Sequence, residues 1–91
     1  MVIYPMADLR KQFDVAAAAV LTAKKDPGNE LKLRLYASFK QATEGDAKGE
    51  KPGFTEFVNR AKYDAWAKLK GTSPDDAMKA YIKLVERVTR E

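Results

Sequence analysis

Apolar side chains recur along this chain at helical spacing, in blocks separated by short runs rich in proline, glycine and charge. Leu9, Phe13, Ala16, Ala17 and Val20 share one face and predict a first helix from about Asp8 to Lys25, with Lys24 and Lys25 at its negative end. Asp26-Pro27-Gly28 stops it. Asn29 is the expected N-cap of a second helix that carries Leu31, Leu33, Leu35, Tyr36 and Phe39 and ends at Gly45, a natural left-handed C′ residue. From Asp46 to Thr55, Gly49, Pro52 and Gly53 are mixed with charges, which predicts a crossover loop. A third, shorter helix follows with Phe57, Val58, Ala61, Ala65, Trp66 and Leu69 before Gly71. Ser73-Pro74-Asp75-Asp76 reads as a helix start, with serine at the cap, proline at the first helical position and carboxylates in the positive first turn. The fourth helix carries Ala77, Tyr81, Leu84, Val85 and Val88 in one stripe. No strand alternation, internal repeat or low-complexity run competes, so the expectation is an all-α four-helix bundle forming one domain over residues 1–91, with 1–7 as a short arm.

Composition narrows the function. The 91 residues lie near the lower size at which one hydrophobic core holds a fold unaided, and no cysteine is present to staple it. With neither cysteine nor histidine, the thiolate zinc site and the commonest general base are both missing, so no metal, cofactor or catalysis is expected. The longest apolar stretch, Val15 to Leu21, falls well short of the roughly 20 residues that span a bilayer, which argues against stable membrane insertion. The absence of cysteine makes a reducing, cytoplasmic setting the expectation, and Met1 to Ala7, without the basic flank of a secretory signal and broken by Pro5, reads as a short arm. The net charge of +4 is spread over all four predicted helices and interleaved with acids, which suits a modest anionic ligand better than a nucleic acid.

The candidate chemistry lies on two helices. Tyr36, Phe39 and Lys40 stand at i, i+3 and i+4, so two rings and a cation share one side of the second helix, with Lys32 one turn earlier. Rings offer a base a stacking face, and lysine offers a phosphate a charge-assisted hydrogen bond. Periodicity alone fits Tyr36 and Phe39 as core residues with Lys40 a solvated neighbour at least as well. Lys62 lies one turn before Trp66, among Arg60, Lys68 and Lys70, and reads either as a second phosphate contact or as part of a solvated basic face. Trp66 and Tyr81 read first as packing residues, and Asp75 and Asp76 as helix-start devices. No nucleophile and base arrangement, P-loop or metal spacing appears.

Three ordered segments carry a resemblance. Leu35-Tyr36-Ala37-Ser38-Phe39-Lys40-Gln41-Ala42-Thr43-Glu44-Gly45-Asp46, Ala61-Lys62-Tyr63-Asp64-Ala65-Trp66 with Leu69-Lys70-Gly71, and Ala77-Met78-Lys79-Ala80-Tyr81-Ile82 with Val85-Glu86 are collinear with the acyl-CoA-binding proteins, and the chain resembles that family from about Gln12 to Arg90. The resemblance implies an up-down-down-up bundle that carries medium- to long-chain fatty acyl-CoA in a surface bowl, as an intracellular carrier and pool former rather than an enzyme. It implies that Lys40 and Lys62 hold the adenine 3′-phosphate, that Tyr36 lies against the nucleotide and that Tyr81 stands near the ligand's middle. It places Phe13, Ala17 and Val20 beside the acyl chain and brings Leu21, Leu33 and Phe39 into the ligand-binding set. A monomer is expected, with at most transient contact with membranes or enzymes that use acyl-CoA.

The chain departs from the family pattern at three positions. Phe39 stands where a second tyrosine is common, which removes a hydroxyl able to reach phosphate; Leu21 takes a position often held by lysine; Tyr63 replaces a usual tryptophan. The first helix also carries Val15, Ala18, Ala19 and Leu21 outside its main stripe, an apolar excess that would widen the acyl site or form a self-association face. The alternative from another class is a small basic helical interaction domain that binds nucleic acid or a protein. An enzyme that processes acyl-CoA ranks third.

Overall fold

A computed structural model describes residues 6–23 and 26–90. It contains four helices, α1 (Met6–Ala19), α2 (Asn29–Glu44), α3 (Phe57–Ala67) and α4 (Pro74–Thr89), with a 3-10 turn at Val20–Thr22, and no strand among the described residues. The all-α expectation holds. Helix α4 organises the packing: α1 and α2 both lie against it, α3 lies against α2, and among the described residues α1 and α2 do not close on each other. The stripe Ala77, Met78, Tyr81, Val85 and Val88 of α4 joins Leu9, Phe13 and Ala16 of α1 and Leu35 and Ala42 of α2 in one core. Burial of each large apolar side chain there is worth about 1.5–3 kcal/mol, which makes these contacts the main source of cohesion in a domain this small.

Helix ends follow local chemistry, and several differ from the expected boundaries. The cap on α4 is as expected, with the Asp76 backbone N–H donating to Ser73 Oγ at 3.1 Å and Pro74 as the first helical residue. Helix α1 stops at Ala19 rather than at Lys25, and Lys24 and Lys25 lie outside the described residues, as does the 1–5 part of the expected arm. The Thr22 hydroxyl donates to the Ala19 carbonyl at 2.7 Å, while the Ala23 N–H turns to Val20, so the α-helical ladder tightens and ends. At the start of α2 the N-cap is Gly28, not Asn29: a φ of 91° suits glycine alone, and the Asp26 carboxylate accepts from the Gly28 N–H at 2.8 Å. Gly45 ends α2 with φ 81° and ψ −152°, an extended glycine conformation rather than the left-handed helical one expected. Helix α3 ends at Ala67, and 68–71 complete tight turns before α4.

Helix α2 turns an unexpected face inward. Its buried residues are Leu35, Ala37, Ser38, Gln41 and Ala42, whereas Leu31, Leu33 and Tyr36 are half-buried and Phe39 reaches solvent. Small side chains at 37, 38 and 42 let α4 approach closely, and the large rings are displaced to the flank. On α3, Phe57 and Val58 are exposed, because that helix packs against α2 and buries Trp66 as its anchor.

A polar clamp ties the C-terminal end of α2 to α3 and to the turn that follows it. Gln41, 1% exposed, donates through Nε2 to Asp46 Oδ1 at 2.8 Å and to the Thr72 carbonyl at 2.9 Å. The same Asp46 oxygen accepts from the Gly71 N–H at 2.9 Å, and this bond, with that from Gln41, holds the Asp46 carboxyl below its ordinary pKa. The Trp66 indole N–H donates to the Gly45 carbonyl at 2.7 Å. Together these bonds lock α2 to α3 and set the register of the residues on their shared side.

Candidate functional site

Helices α1 and α2 each lie against α4 and not against each other, and aromatic side chains from all three come together between them. Phe13 of α1, Phe39 of α2 and Tyr81 of α4 meet there as a ring cluster. Phe13 stacks on Phe39 with centroids 5.4 Å apart and meets Tyr81 edge-on at 5.1 Å, and Phe39 lies 5.8 Å from Tyr81. Phe13 and Tyr81 are buried, whereas Phe39 is 38% exposed at the edge of the cluster. The Arg10 guanidinium lies 5.8 Å from the Phe13 ring centre and caps the cluster. Burial pushes the Tyr81 phenol above its ordinary pKa, so it remains a neutral hydroxyl at physiological pH.

The two candidate cations stand where α2 and α3 pack together. Lys62 Nζ of α3 lies 5.4 Å from the centre of the Tyr36 ring, and Lys40 Nζ of α2 lies 5.0 Å from the Trp66 ring. Each ammonium therefore rests on an aromatic face contributed by the neighbouring helix, an arrangement that orders a flexible side chain while leaving N–H donors free. The two lysines differ in one respect. Lys40 is paired with the Glu44 carboxylate one turn further along α2, which raises the lysine pKa and lowers that of the glutamate. Lys62 has no carboxylate partner among the described residues.

Of the residues singled out in the sequence, the structure thus joins Phe13, Phe39 and Tyr81 in one cluster and pairs Tyr36 with Lys62. Tyr36, Phe39 and Lys40, one helical turn apart, connect the ring cluster to the cations. Ala17 and Val20 are half-buried against the core, and Val20 lines a separate small groove with Leu35 and Val88 rather than joining the ring cluster. Leu21 is 85% exposed and joins neither group. Leu33 lines a separate groove of about 680 Å³ between α2, α3 and α4, with Ala37, Ala65, Leu69 and Leu84. Lys32 is likewise drawn away, into an ion pair with Asp26 at 2.9 Å. Sequence reasoning missed the seat of Lys40 on Trp66 and the role of Glu44. The i, i+4 spacing of Lys40 and Glu44 was the available signal for the second.

The arrangement suits a ligand with three parts: rings for an aromatic base, two cations for a phosphate, and an apolar floor for a hydrocarbon chain. What the fold and site define is a small all-α bundle with an aromatic cluster and two ring-seated cations on neighbouring helices. Comparison with known proteins agrees. A family model described as Acyl CoA binding protein matches residues 10–85. Acyl-CoA-binding protein homolog 1 of Caenorhabditis elegans is 50% identical over 76 residues, which cover 84% of this chain and 88% of that protein. Enoyl-CoA delta isomerase 2 of Rattus norvegicus is 46% identical over 84 residues, 92% of this chain but only 22% of the isomerase. The crystal structure of Oryza sativa Acyl-CoA-Binding Protein 2 superposes with a TM-score of 0.85 at 35% identity, covering 90% of this chain and 91% of that one. The chain belongs to the acyl-CoA-binding protein family, with the four-helix fold of its members.

Proposed function

We propose that this protein binds medium- to long-chain fatty acyl-CoA thioesters and serves as a cytoplasmic, monomeric carrier and pool former for them, without catalysis. The observation that carries this reading is the pair of ring-seated ammonium groups, Lys62 on Tyr36 and Lys40 on Trp66, next to the Phe13, Phe39 and Tyr81 cluster. In this reading Lys40 and Lys62 hold the 3′-phosphate, Tyr36 faces the nucleotide, Tyr81 stands near the ligand's middle, and Phe13, Ala17 and Val20 border the acyl chain. A phosphomonoester carries about −1.5 to −2 charges near neutrality, so two lysines nearly balance it. Each buried methylene adds roughly 0.8 kcal/mol, so a long chain supplies on the order of ten kcal/mol before ordering costs, and the headgroup supplies selectivity over free fatty acid. No described helix is long and apolar enough to cross a membrane, in keeping with a ligand carried in a bowl rather than a protein inserted in the bilayer.

Isothermal titration with palmitoyl-CoA below its micelle concentration, with palmitate and CoA as controls, tests this function. Tight one-to-one binding of the thioester with weak binding of either half is the expected result. No heat with any of the three rejects the function and favours the interaction-domain alternative.

Leu21 gives a second test. It is exposed in the 3-10 turn directly after Val20, at a position where the family resemblance implies a lysine. Leu21→Lys adds a cation there and tightens the binding of CoA itself by about threefold to tenfold, with little change in folding because no packing is lost. Unchanged calorimetric affinity for CoA would show that the position lies out of phosphate reach.

A further inference from the structure

The environment of Glu44 is hard to explain by folding alone. It is the last residue of α2, where the partial negative charge of the helix end disfavours a carboxylate. Its pairing with Lys40 runs cation first and acid second along the helix, the weaker of the two orders for a pair one turn apart. Pairs of this kind contribute little to stability. Yet Glu44 lies on one of the two ring-seated cations, and Lys40 keeps only 25% of its side chain exposed between the carboxylate and the Trp66 ring. Lys48, from the loop after α2, also helps hold the Glu44 carboxyl below its ordinary pKa, after Lys40.

From this geometry, and resting on the acyl-CoA reading above, we propose that Glu44 is a specificity-determining residue: an internal counter-anion that holds Lys40 on Trp66 in the free protein and competes for it with the ligand's phosphomonoester. When ligand enters, Lys40 exchanges a carboxylate for a phosphate, and the displaced carboxylate stays within one helical turn of the new anion. Its repulsion scales with the charge brought in, so a doubly charged phosphomonoester is opposed more strongly than a headgroup that lacks it. Lys62, without a carboxylate of its own, provides the uncontested contact. Glu44 thereby lowers headgroup affinity and speeds release, a useful property in a protein that must hand its ligand on.

Calorimetric affinities of Glu44→Gln and Glu44→Asp for palmitoyl-CoA and for palmitoyl-dephospho-CoA, which lacks the 3′-phosphate, test the proposal. Glu44→Gln tightens palmitoyl-CoA by about threefold to tenfold and the dephospho analogue by less than about twofold. Glu44→Asp keeps the charge and stays close to the parent protein. In the free protein, Glu44→Gln also shifts Trp66 emission, because Lys40 is no longer held on the ring. Equal or weaker binding of palmitoyl-CoA by Glu44→Gln, or equal gains for both ligands, overturns the role of Glu44 while leaving acyl-CoA binding intact. Failure of the parent protein to bind palmitoyl-CoA overturns the function itself, and this inference with it.

Discussion

Replacement of Lys62 by alanine lowers affinity for palmitoyl-CoA by roughly tenfold to a hundredfold and flattens its dependence on salt. The size follows from the net worth of a hydrogen bond to a charged group, about 1.5–3 kcal/mol, at about 1.4 kcal/mol per decade. Lys62 is the better of the two lysines for this test, since it has no carboxylate partner among the described residues and its removal frees no buried charge. Its stem does cover the Tyr36 ring, so packing and charge must be separated. Lys62→Met keeps an apolar stem and loses the ammonium; it matches Lys62→Ala if charge is what binds. Lys62→Arg retains the charge and falls between. Titration with palmitoyl-CoA over a range of salt concentrations reads both effects. A slope that does not change on losing the lysine rejects the phosphate contact, whatever happens to the affinity.

The sequence pattern announced four helices because their apolar spacing and stops are strong: Asp26-Pro27-Gly28, the glycines of the crossover loop, and the Ser73-Pro74 start all fall where chain direction changes. It was weakest on which side of α2 faces inward. Hydrophobicity points to Leu33, Leu35, Tyr36 and Phe39, but of these only Leu35 is buried, and the rest of the buried face is built from Ala37, Ser38, Gln41 and Ala42. Periodicity weighs side chains by how apolar they are, and close helix packing selects those that are small. The mismatch bears on the proposed function, in which Tyr36 and Phe39, held at the flank of the core, are the rings offered to the ligand. Lys40 and Lys62 were legible as cations near rings, though not which ring each one meets: Lys62 lies on Tyr36 and Lys40 on Trp66, a crossed pairing that depends on how α2 and α3 dock. Leu33 shows the opposite failure, since helical phase places it near Tyr36 whereas the α3 and α4 neighbours draw it into another groove. Gln41 was visible only as part of a motif, and Gly45 only as a helix stop. Their purpose appears once Gly45 receives the Trp66 indole N–H and Gln41 meets Asp46 and Thr72.

That clamp leads to the largest expected loss of stability. Trp66→Ala destabilises the fold by about 3–5 kcal/mol, the usual cost of truncating a buried tryptophan, which is a large share of the 5–15 kcal/mol available to a typical domain. Trp66→Phe keeps a ring under Lys40 and loses the 2.7 Å bond to Gly45, at a cost of about 1–3 kcal/mol because the carbonyl is left without its donor. The two variants separate a structural role from a ligand-binding one when thermal unfolding is followed with and without palmitoyl-CoA. A ligand that binds only the folded state raises the melting temperature in proportion to the logarithm of its concentration over Kd. Trp66→Phe therefore melts earlier but keeps most of the ligand-induced shift, whereas Lys62→Ala melts near the parent temperature and loses much of that shift. If Trp66→Phe instead keeps the parent melting temperature and loses the shift, the indole acts on the ligand, and the bond to Gly45 is not what holds α2 against α3. The expected pattern places stability in the buried clamp and affinity in the ring-seated lysines, two sets of residues joined through one tryptophan.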